Sequence, residues 1–343
     1  MVQIIPKNSV TVEHNWQKEL SYCFTDPKKL LEHLQLDTEA LAHHGDARKL
    51  FALRVPRHFV GLMEKGNWQD PLLRQVMPLD AEFNEVAGFS PDPLQEHDTA
   101  SKGLLHKYQS RVLLLIKTGC AVNCRYCFRR HFPYAENALS RRQWQQNIDY
   151  IKAHPQINEV IYSGGDPLMA KDEFLGWLTT QLEAIPHVTR LRIHTRLPVV
   201  LPERIDTQFV QWITQTRLKP VLVLHINHAN EVSSILKERI EILKTKGVTV
   251  LNQGVLLKGV NDSSTAQVAL SEALFDAGIL PYYLFLLDKV QGAAHFEVTE
   301  PQARAIMHEM IKRLPGFLVP KLTREIGGQP GKTPIDLLLQ PQN

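Results

Sequence analysis

The chain has 343 residues, of which 43% are apolar and 22% are charged, and its formal net charge is +3. A charge this small gives no reason to expect nucleic acid or an anionic membrane as a partner. No run of eighteen apolar residues is present that could span a bilayer, and residues 1–10 hold no apolar stretch typical of a signal peptide. We therefore predict a cytoplasmic protein that binds neither membrane nor nucleic acid.

Short helices separated by turns are predicted for the first hundred residues. Leucines recur at helical spacing over 30–34, and a second apolar helical run extends over 38–65, with a break at Pro56. The segment 87–102 is rich in Pro, Ser, Asp and Gly and is predicted to be a linker. We identify no catalytic chemistry in this region, and expect it to cover an open edge of the main domain or to form a subunit contact.

Apolar, β-branched runs alternate with amphipathic helical stretches from residue 101 onward. This alternation predicts six βα units with right-handed crossovers and a parallel sheet. Six units are fewer than the eight of a closed barrel, so the predicted fold class is α/β: a partial, open TIM-like (β/α)6 barrel preceded by a helical N-terminal region. The predicted strands span 112–117, 159–163, 190–195, 221–226, 248–253 and 281–286, and the predicted helices span 140–153, 171–184, 202–216, 231–246, 264–277 and 299–313.

Three of the four cysteines fall within eight positions, as Cys120-x3-Cys124-x2-Cys127. Thiolates are ligands for zinc or for iron–sulfur clusters, and a closed structural zinc site usually takes four protein ligands. His131 could complete a Cys3His set, whereas Cys23 lies far upstream in a helical segment. In a four-iron cluster, three thiolates leave one iron open to a small chelating molecule. The spacing alone leaves both kinds of site open.

Polar residues follow each predicted strand at its carboxyl end, where ligands gather in parallel α/β folds. Any one such group is more often part of a turn or a helix cap. Six groups at the same ends of six strands, however, indicate one functional site along that rim of the barrel. Gly164 and Gly165 lack side chains and permit a close backbone approach to a small molecule. The groups are the cysteines, 163–166, 194–196, 225–228, 252–253 with 261–262, and Asp288 with His295.

A glycine-rich segment near the C-terminus leads into Lys332. A lysine that forms a Schiff base with pyridoxal phosphate (PLP) must release the cofactor and recapture it, and preceding glycines would allow that movement. By itself the segment is more typical of a mobile tail with a solvated lysine.

Over about residues 48–334 these motifs resemble the lysine 2,3-aminomutase family, radical S-adenosylmethionine (SAM) enzymes that also use PLP. The short branch that acts in β-lysylation of elongation factor P is the most similar, on segments 126–134 and 288–296. The motifs that carry the resemblance are Tyr108-x-x-Arg111, the cysteine triplet with Arg129, Ser163-Gly164-Gly165-Asp166, His194-Thr195-Arg196, Asn261-Asp262, Pro281-Tyr282-Tyr283 with Asp288, and Lys332-Thr333-Pro334.

The resemblance implies a role for each motif, with one [4Fe-4S] cluster per chain whose open iron binds SAM. The implied sets are the cluster ligands Cys120, Cys124 and Cys127; the SAM contacts Gly164, Gly165, Asp166 and His194; the PLP contacts Tyr108, Arg111 and Lys332, the last as Schiff base; and the substrate contacts Arg129, Asp288 and Glu325.

The implied substrate is L-lysine. Arg129 would bind its α-carboxylate through a forked pair of donors, and two carboxylates would bind its distal ammonium. Asp288 matches the first family aspartate, but Glu325 stands where the family has the second. Glutamate keeps the charge and adds one methylene, so lysine remains the expected substrate.

The implied activity is that of an isomerase that moves the α-amino group of L-lysine to C3, giving β-lysine for modification of elongation factor P. The expected partners are a flavodoxin- or ferredoxin-type electron donor, the elongation factor P ligase and a second copy of the chain. We expect three regions in the chain: residues 1–100 form the helical region and linker, residues 101–330 form the radical SAM barrel, and residues 331–343 form a tail that begins beside Lys332.

Two alternatives remain open. A related aminomutase could act on another amino acid such as glutamate, although the two carboxylates expected at the distal end argue against an anionic substrate tail. In a different class, the cysteines could stabilise a zinc-containing binding module without catalytic activity.

Overall fold

The computed structural model describes residues 16–39, 51–96, 102–132, 139–329 and 331–339. Predictions made for residues 1–10, for the middle of the 38–65 run and for the end of the predicted linker fall outside these ranges, as do Pro133, Tyr134 and Pro330. None of the helices within the described ranges is both long and apolar enough to cross a membrane.

A single sheet forms the main domain, and its strands lie in the order in which they occur in the chain. All six predicted strands are present, with boundaries within a few residues of those expected, and three further strands extend the sheet. The strands are β1 (Leu104–Tyr108), β2 (Arg111–Lys117), β3 (Glu159–Gly164), β4 (Arg190–Thr195), β5 (Lys219–Leu224), β6 (Thr249–Val255), β7 (Leu280–Phe285), β8 (Lys321–Arg324) and β9 (Thr333–Pro334).

The pairing of these strands makes an open barrel. Strands β2 to β8 run parallel to their neighbours, whereas β1 pairs antiparallel with β2 and β9 antiparallel with β8. Within the described residues β1 and β9 form the two ends of the sheet and do not pair with each other. The predicted fold class, an open parallel α/β barrel, is confirmed.

Helices follow six of the parallel strands, as predicted. A serine precedes each of three of these helices, and its hydroxyl accepts a hydrogen bond from the backbone N–H three residues later, a cap that contributes about 1 kcal/mol. The helices are α1 (Trp16–Ser21), α2 (Pro27–His33), α3 (Arg57–Gly61), α4 (Pro71–Arg74), α5 (Arg141–Ala153), α6 (Asp172–Glu183), α7 (Leu197–Val200), α8 (Thr207–Thr214), α9 (Ser234–Thr245), α10 (Ser264–Asp276) and α11 (Glu300–Arg313).

The helix predicted over 202–216 is shorter than expected. A separate 3-10 turn spans Pro202–Arg204, and the helix begins only after Asp206, whose carboxylate accepts a hydrogen bond from Phe209 N at 2.8 Å. Because this cap fixes the first turn of α8, the proline-containing residues before it form the turn instead of joining the helix.

One hydrophobic core joins the N-terminal helices to the barrel. Leu30 of α2, Phe59 of α3 and Leu72 of α4 are fully buried in the same cluster as Leu197 and Val199 of α7. Each such side chain contributes about 1.5–3 kcal/mol when it leaves water. The N-terminal helices therefore pack directly against the barrel at α7, the helix that follows β4.

The described part of the predicted linker also contacts the barrel. Ser90 N donates to Lys289 O at 2.9 Å, and Gln291 N donates to Ser90 O at 3.0 Å. These bonds fix the segment against the loop after β7 and bring Glu96 next to the carboxyl ends of the strands.

Candidate active site

A cavity of about 420 Å³ lies beyond the carboxyl ends of the parallel strands. Loops after β2, β3, β4 and β7 line it, together with the chain that follows β8. The structure brings all of the predicted site residues to its wall, namely Cys120, Cys124, Cys127, Tyr108, Arg111, Arg129, Gly164, Gly165, Asp166, His194, Asp288, Glu325 and Lys332.

The cysteine loop follows β2 and is held by the N-terminal region. Arg125 N, within the loop, donates to Gln75 O at 2.9 Å. The fully buried Arg125 side chain donates from Nε to Glu82 Oε1 at 2.8 Å, and Arg130 donates to Glu82 Oε2 at 2.6 Å. Buried charges are stable only when they are paired, so one carboxylate fixes arginines on both sides of the last cysteine.

The three cysteines are free thiols in a low-dielectric environment. Burial raises the pKa of Cys120 well above its usual value and raises the pKa of Cys127 to about 11. Thiolates at Cys120 and Cys127 therefore need a compensating positive charge, which a bound metal would supply.

The donor set fits a cluster with one open iron. Three cysteines on one loop face the cavity, and Cys23, the fourth cysteine of the chain, packs against the hydrophobic core instead. His131 is exposed, with Nε2 at 3.2 Å from Gln291 O, and it does not line the cavity. A Cys3His zinc set completed by His131 is not assembled by this arrangement.

The Gly164-Gly165 loop packs on the chain just before the first cysteine. Gly165 N donates to Lys117 O at 2.7 Å. Gly164 has a φ of +127°, and a Cβ there would lie 2.4 Å from Lys117 O; a Cβ on Gly165 would lie 2.6 Å from Gly119 O. Only glycine fits at either position, and the two loops form one continuous surface of the cavity.

The carboxylate of Asp166 accepts hydrogen bonds from other residues of the protein. Its oxygens accept hydrogen bonds from the Thr195 hydroxyl at 2.7 and 2.9 Å, from Arg196 N at 2.8 Å, from Leu197 N at 2.9 Å and from Leu168 N at 3.0 Å. A carboxylate offers about four acceptor directions. The side chain thus ties the loop after β3 to the loop after β4, and the predicted direct contact of Asp166 with SAM stays a prediction.

His194, at the end of β4, carries a buried nitrogen with no partner. Its Nδ1 lies 3.5 Å from Gln253 Nε2, while its Nε2 is buried and has no hydrogen-bonding partner in the part of the chain that the structure describes. Burial and the charges of Arg192 and Lys332 hold the pKa of His194 well below its usual value, so the ring is neutral. An orphaned nitrogen in the cavity wall fits a residue that contacts a bound cofactor.

Lys332 directly precedes β9 and is ion-paired with Glu325. Its Nζ lies 2.7 Å from Glu325 Oε2 and 4.3 Å from the centre of the Phe285 ring. The Tyr108 hydroxyl donates to Glu325 Oε1 at 3.0 Å, and the Arg111 guanidinium lies 3.9 Å from the centre of the Tyr108 ring. The predicted PLP lysine and the two predicted phosphate contacts therefore form one connected group.

Arg129, predicted to bind the substrate carboxylate, is paired with Glu96. Its Nε donates to Glu96 Oε2 at 2.6 Å and its Nη2 to Glu96 Oε1 at 3.2 Å, while its Nη1 donates to Ser163 Oγ and Gly164 O, each at 3.1 Å. Burial would raise the pKa of Glu96, but the charges of Arg129 and Lys107 prevail and lower it to about 2. The forked donors of Arg129 thus already hold a carboxylate.

Asp288 lies in the loop after β7 and faces the same group of charges. Burial raises the pKa of Asp288 to about 7, the charge of Glu325 adds to this rise, and the charge of Lys332 opposes it. Within the described residues its carboxylate has no salt-bridge partner. A cation that entered the cavity would relieve this unfavourable charge.

Comparison with known proteins assigns the family. A sequence model described as the radical SAM superfamily matches residues 114–207. An L-lysine 2,3-aminomutase of Escherichia coli (strain K12) is 56% identical over 343 residues, which is 100% of both chains. The chain belongs to the lysine 2,3-aminomutase family.

Two further family relatives match over nearly the whole length. An L-lysine 2,3-aminomutase of Haemophilus influenzae is 53% identical over 97% of this chain and 99% of its own. One of Buchnera aphidicola is 46% identical over 95% of this chain and 96% of its own. The resemblance to the lysine 2,3-aminomutase family that the motifs indicated is confirmed.

Several polar residues that line this aminomutase cavity or support its cysteine loop were not found from the sequence. Glu96 belongs to the segment predicted to be a linker, and Lys107, which lies 2.9 Å from it, belongs to the unpredicted β1. Gln75 and Glu82 come from the region in which no chemistry was identified. Apart from one local bond each, the side chains of Gln75 and Glu82 bind partners between 43 and 156 residues away in the chain, so no local pattern marks them.

Proposed function

We propose that the chain is an L-lysine 2,3-aminomutase, an isomerase that moves the α-amino group of L-lysine to C3. The observation that carries this proposal is the composition of one cavity wall: three cysteines of one loop, a lysine beside a carboxylate, and a second carboxylate, Asp288, that pairs with no cation of the described residues. This is the set of groups that a cluster, PLP and a substrate with a distal ammonium require together. Full-length similarity to L-lysine 2,3-aminomutases supports the same conclusion.

We propose that Cys120, Cys124 and Cys127 hold the [4Fe-4S] cluster and that SAM binds its open iron. When bound, the reduced cluster with SAM supplies a hydrogen-abstracting radical, and PLP supplies the conjugated ring that carries the migrating nitrogen. The neutral Nε2 of His194 is available to a SAM atom, because it is buried and no described residue hydrogen-bonds to it.

Lys332 is the residue that we propose to hold PLP. Capture of the cofactor aldehyde needs an uncharged amine, so Lys332 has to leave its ion pair with Glu325, 2.7 Å away, and lose its proton, while Glu325 stays ionised. Arg111 stacks on Tyr108 and its guanidinium has no salt-bridge partner among the described residues, so it is available to the PLP phosphate.

Glu325 also fits the substrate's distal ammonium, together with Asp288. Once Lys332 gives up its proton or moves, Glu325 loses its cation, and the ammonium of lysine can take that place. One carboxylate then serves two amines in turn. A substrate with an anionic tail would instead add a negative charge beside Asp288 and Glu325, which argues against glutamate.

Arg129 is the proposed contact for the substrate α-carboxylate. Glu96 accepts hydrogen bonds from two nitrogens of the Arg129 guanidinium, so substrate binding requires Arg129 to share its donors or to exchange one carboxylate for another. We propose further that β-lysine made here serves the modification of elongation factor P, with electrons from a flavodoxin- or ferredoxin-type donor.

Anaerobic reconstitution tests the function. Full-length protein with iron, sulfide, PLP, SAM and reductant should convert labelled L-lysine to β-lysine and leave glutamate unchanged. About four iron and four sulfide per chain are expected, whereas about one zinc would support the binding-module alternative.

A pair of cysteine variants serves as the matched control for this test. Cys127→Ala should lose cluster absorbance and activity together. Cys23→Ala should keep both, because Cys23 packs against the core away from the cavity. Retention of a full cluster in Cys127→Ala would contradict the assignment.

A further inference from the structure

Arg196 directly follows β4, and its buried guanidinium contacts the cysteine loop. Its Nη1 donates to Cys124 Sγ at 2.7 Å and to the Tyr126 hydroxyl at 2.5 Å. Its Nη2 donates to Gln75 Oε1 at 2.8 Å and to Glu231 Oε2 at 3.0 Å. Only 6% of the residue is exposed. The charge of Arg196 is thus held between a sulfur of the cysteine loop and a carboxylate on its far side.

The backbone of Arg196 is fixed as firmly as its side chain. Asp166 accepts hydrogen bonds from Arg196 N at 2.8 Å and from the following Leu197 N at 2.9 Å. Glu231 in turn accepts from Gln75 Nε2 at 3.0 Å, and it is fully buried. The cysteine loop after β2, the loop after β5 and a residue next to α4 therefore all bind one guanidinium, and the loop after β3 fixes its backbone. Such a set of contacts gives the positive charge a defined position.

The proximity of this charge to a cluster ligand has an electronic consequence. Arginine stays protonated in proteins, and its field is weakly screened in a buried site. Hydrogen bonds and positive charge at a ligand sulfur favour the more negative, reduced state of an iron–sulfur cluster. A cluster ligated by Cys124 would accordingly accept an electron more readily with Arg196 present.

We propose that Arg196 is a positioning residue that holds a positive charge against the Cys124 sulfur and raises the reduction potential of the cluster. This inference rests on the proposed function, because it requires the cluster. Glu231 limits the effect from the other side of the guanidinium. The pair sets how readily an external electron carrier reduces the cluster.

Redox titration of Arg196→Gln tests the proposal. The full-length variant is reconstituted anaerobically with iron and sulfide, without SAM, and the reduced cluster is followed by electron paramagnetic resonance as the potential is lowered. The midpoint should be more negative than that of the wild type at the same iron content. An unchanged midpoint would overturn the proposal.

Arg204→Gln is the matched control. Arg204 is also a fully buried arginine of the barrel, and it donates to Leu168 O at 2.7 Å and to Asp172 Oδ1 at 2.7 Å, but it does not line the cavity. Its loss should destabilise the protein by a similar route and leave the midpoint unchanged. An equal shift in Arg204→Gln would mean that general loosening, and not the charge at Cys124, moves the potential.

Glu231→Gln provides a second variant with the opposite expected sign. Gln is close to isosteric and leaves Arg196 in place without its counter-charge, so the midpoint should become less negative. This variant decides the question if Arg196→Gln fails to fold or to hold iron. An unchanged or more negative midpoint in Glu231→Gln would then overturn the proposal.

The outcomes separate this inference from the function on which it rests. A wild-type protein that takes up no iron and sulfide would contradict the proposed function itself. A wild-type protein with a full cluster, together with variants whose midpoints do not move, would leave the function intact and reject only the role of Arg196.

Discussion

Glu325 carries one methylene more than the aspartate expected at its position from the family resemblance, and it spans two partners. Its two oxygens accept from Lys332 at 2.7 Å and from the Tyr108 hydroxyl at 3.0 Å. Burial and the charge of Glu325 raise the pKa of Tyr108, so the hydroxyl stays protonated and remains a donor. At the scale of single residues, the longer arm therefore connects the predicted PLP lysine to the predicted phosphate contact.

Glu325→Gln should raise the KM for lysine about ten-fold or more at saturating PLP. A hydrogen bond to a charged group contributes about 1.5–3 kcal/mol, and about 1.4 kcal/mol is a factor of ten. Steady-state kinetics of the reconstituted enzyme measures it. Glu297→Gln, which removes one carboxylate of an exposed pair with Lys289, should change KM less than two-fold. An unchanged KM in Glu325→Gln would move the ammonium site elsewhere.

Lysine binding should depend on pH through Asp288. Its pKa is about 7 in the ligand-free protein, and only the ionised carboxylate attracts the substrate ammonium, which stays protonated up to about pH 10. As pH falls below about 7, Asp288 takes up a proton and kcat/KM should fall, by up to about ten-fold per unit. As pH rises through that value, kcat/KM should increase. Asp288→Asn should lack this slope, and the same slope in the variant would contradict the assignment.

The sequence marks some of these residues and not others, for a physical reason. The cysteine triplet, the paired glycines and Lys332 are recognisable because the chemistry or the backbone geometry requires that residue type at a fixed spacing. Glu96 carries no such mark: it lies in a Pro- and Ser-rich segment, and its partner Arg129 is 33 residues away. The pairing exists only once the segment folds against the barrel.

At the scale of secondary-structure elements, the short N-terminal helices act as supports for the cysteine loop. Glu82, in a 3-10 turn after α4, binds Arg125 and Arg130. Gln75, at the end of α4, binds the loop backbone and the Arg196 guanidinium. The region in which no chemistry was identified thus supports the loop that carries the proposed cluster ligands.

Glu82→Gln should loosen the cysteine loop while the barrel stays folded. The change removes the counter-charge of two buried arginines, which costs about 3–5 kcal/mol when a buried pair is broken. Cys124 of the cluster-free protein should react several-fold faster with a thiol reagent, and less iron should be retained after reconstitution. Glu85→Gln, at an exposed position nearby, should leave both unchanged. Equal reaction rates in Glu82→Gln and the wild type would reject this role of the carboxylate.

The six βα units are predictable because the regular spacing of hydrophobic residues identifies each strand and each helix. The three strands that were not predicted, β1, β8 and β9, have weaker sequence patterns. Strands β8 and β9 have four and two residues, too few to establish alternation, and they form because β7 and then β8 offer a free edge. Strand β1 ends in His106, Lys107 and Tyr108, and its pairing depends on β2. Tertiary contacts, not local sequence, decide these elements.

At the scale of the whole molecule, the cavity is built from three distant parts of the chain. The N-terminal region supplies Glu96, the barrel supplies Arg129, and the segment between β8 and β9 supplies Lys332. Strand β9 is fixed by Thr323, whose hydroxyl donates to Thr333 O at 2.8 Å. The site is complete only when the entire described chain is folded.

In Glu96→Gln, the free energy of unfolding should depend more strongly on bound lysine than it does in the wild type. Without its carboxylate, Arg129 and Lys107 lose their counter-charge, and the free energy of unfolding of the ligand-free protein should fall by about 3 kcal/mol. Lysine added to the reconstituted protein should restore more stability in the variant than in the wild type, because its carboxylate replaces the missing charge. Chemical denaturation with and without lysine measures both effects. An equal gain in the two proteins would show that Arg129 does not receive the substrate carboxylate.

The hydrogen bond from Tyr108 to Glu325 joins the end of β1, one edge strand of the open sheet, to the residue that follows β8, the neighbour of the other edge strand. It therefore crosses the gap at which a closed barrel would have continued. Tyr108 is an expected contact of PLP and Glu325 an expected contact of the substrate, so binding of either ligand should weaken or replace this hydrogen bond. Opening of the gap and ligand binding in the cavity are consequently linked. Hydrogen–deuterium exchange of the backbone amides in β1 and β8 would therefore report ligand binding without a measurement of the reaction.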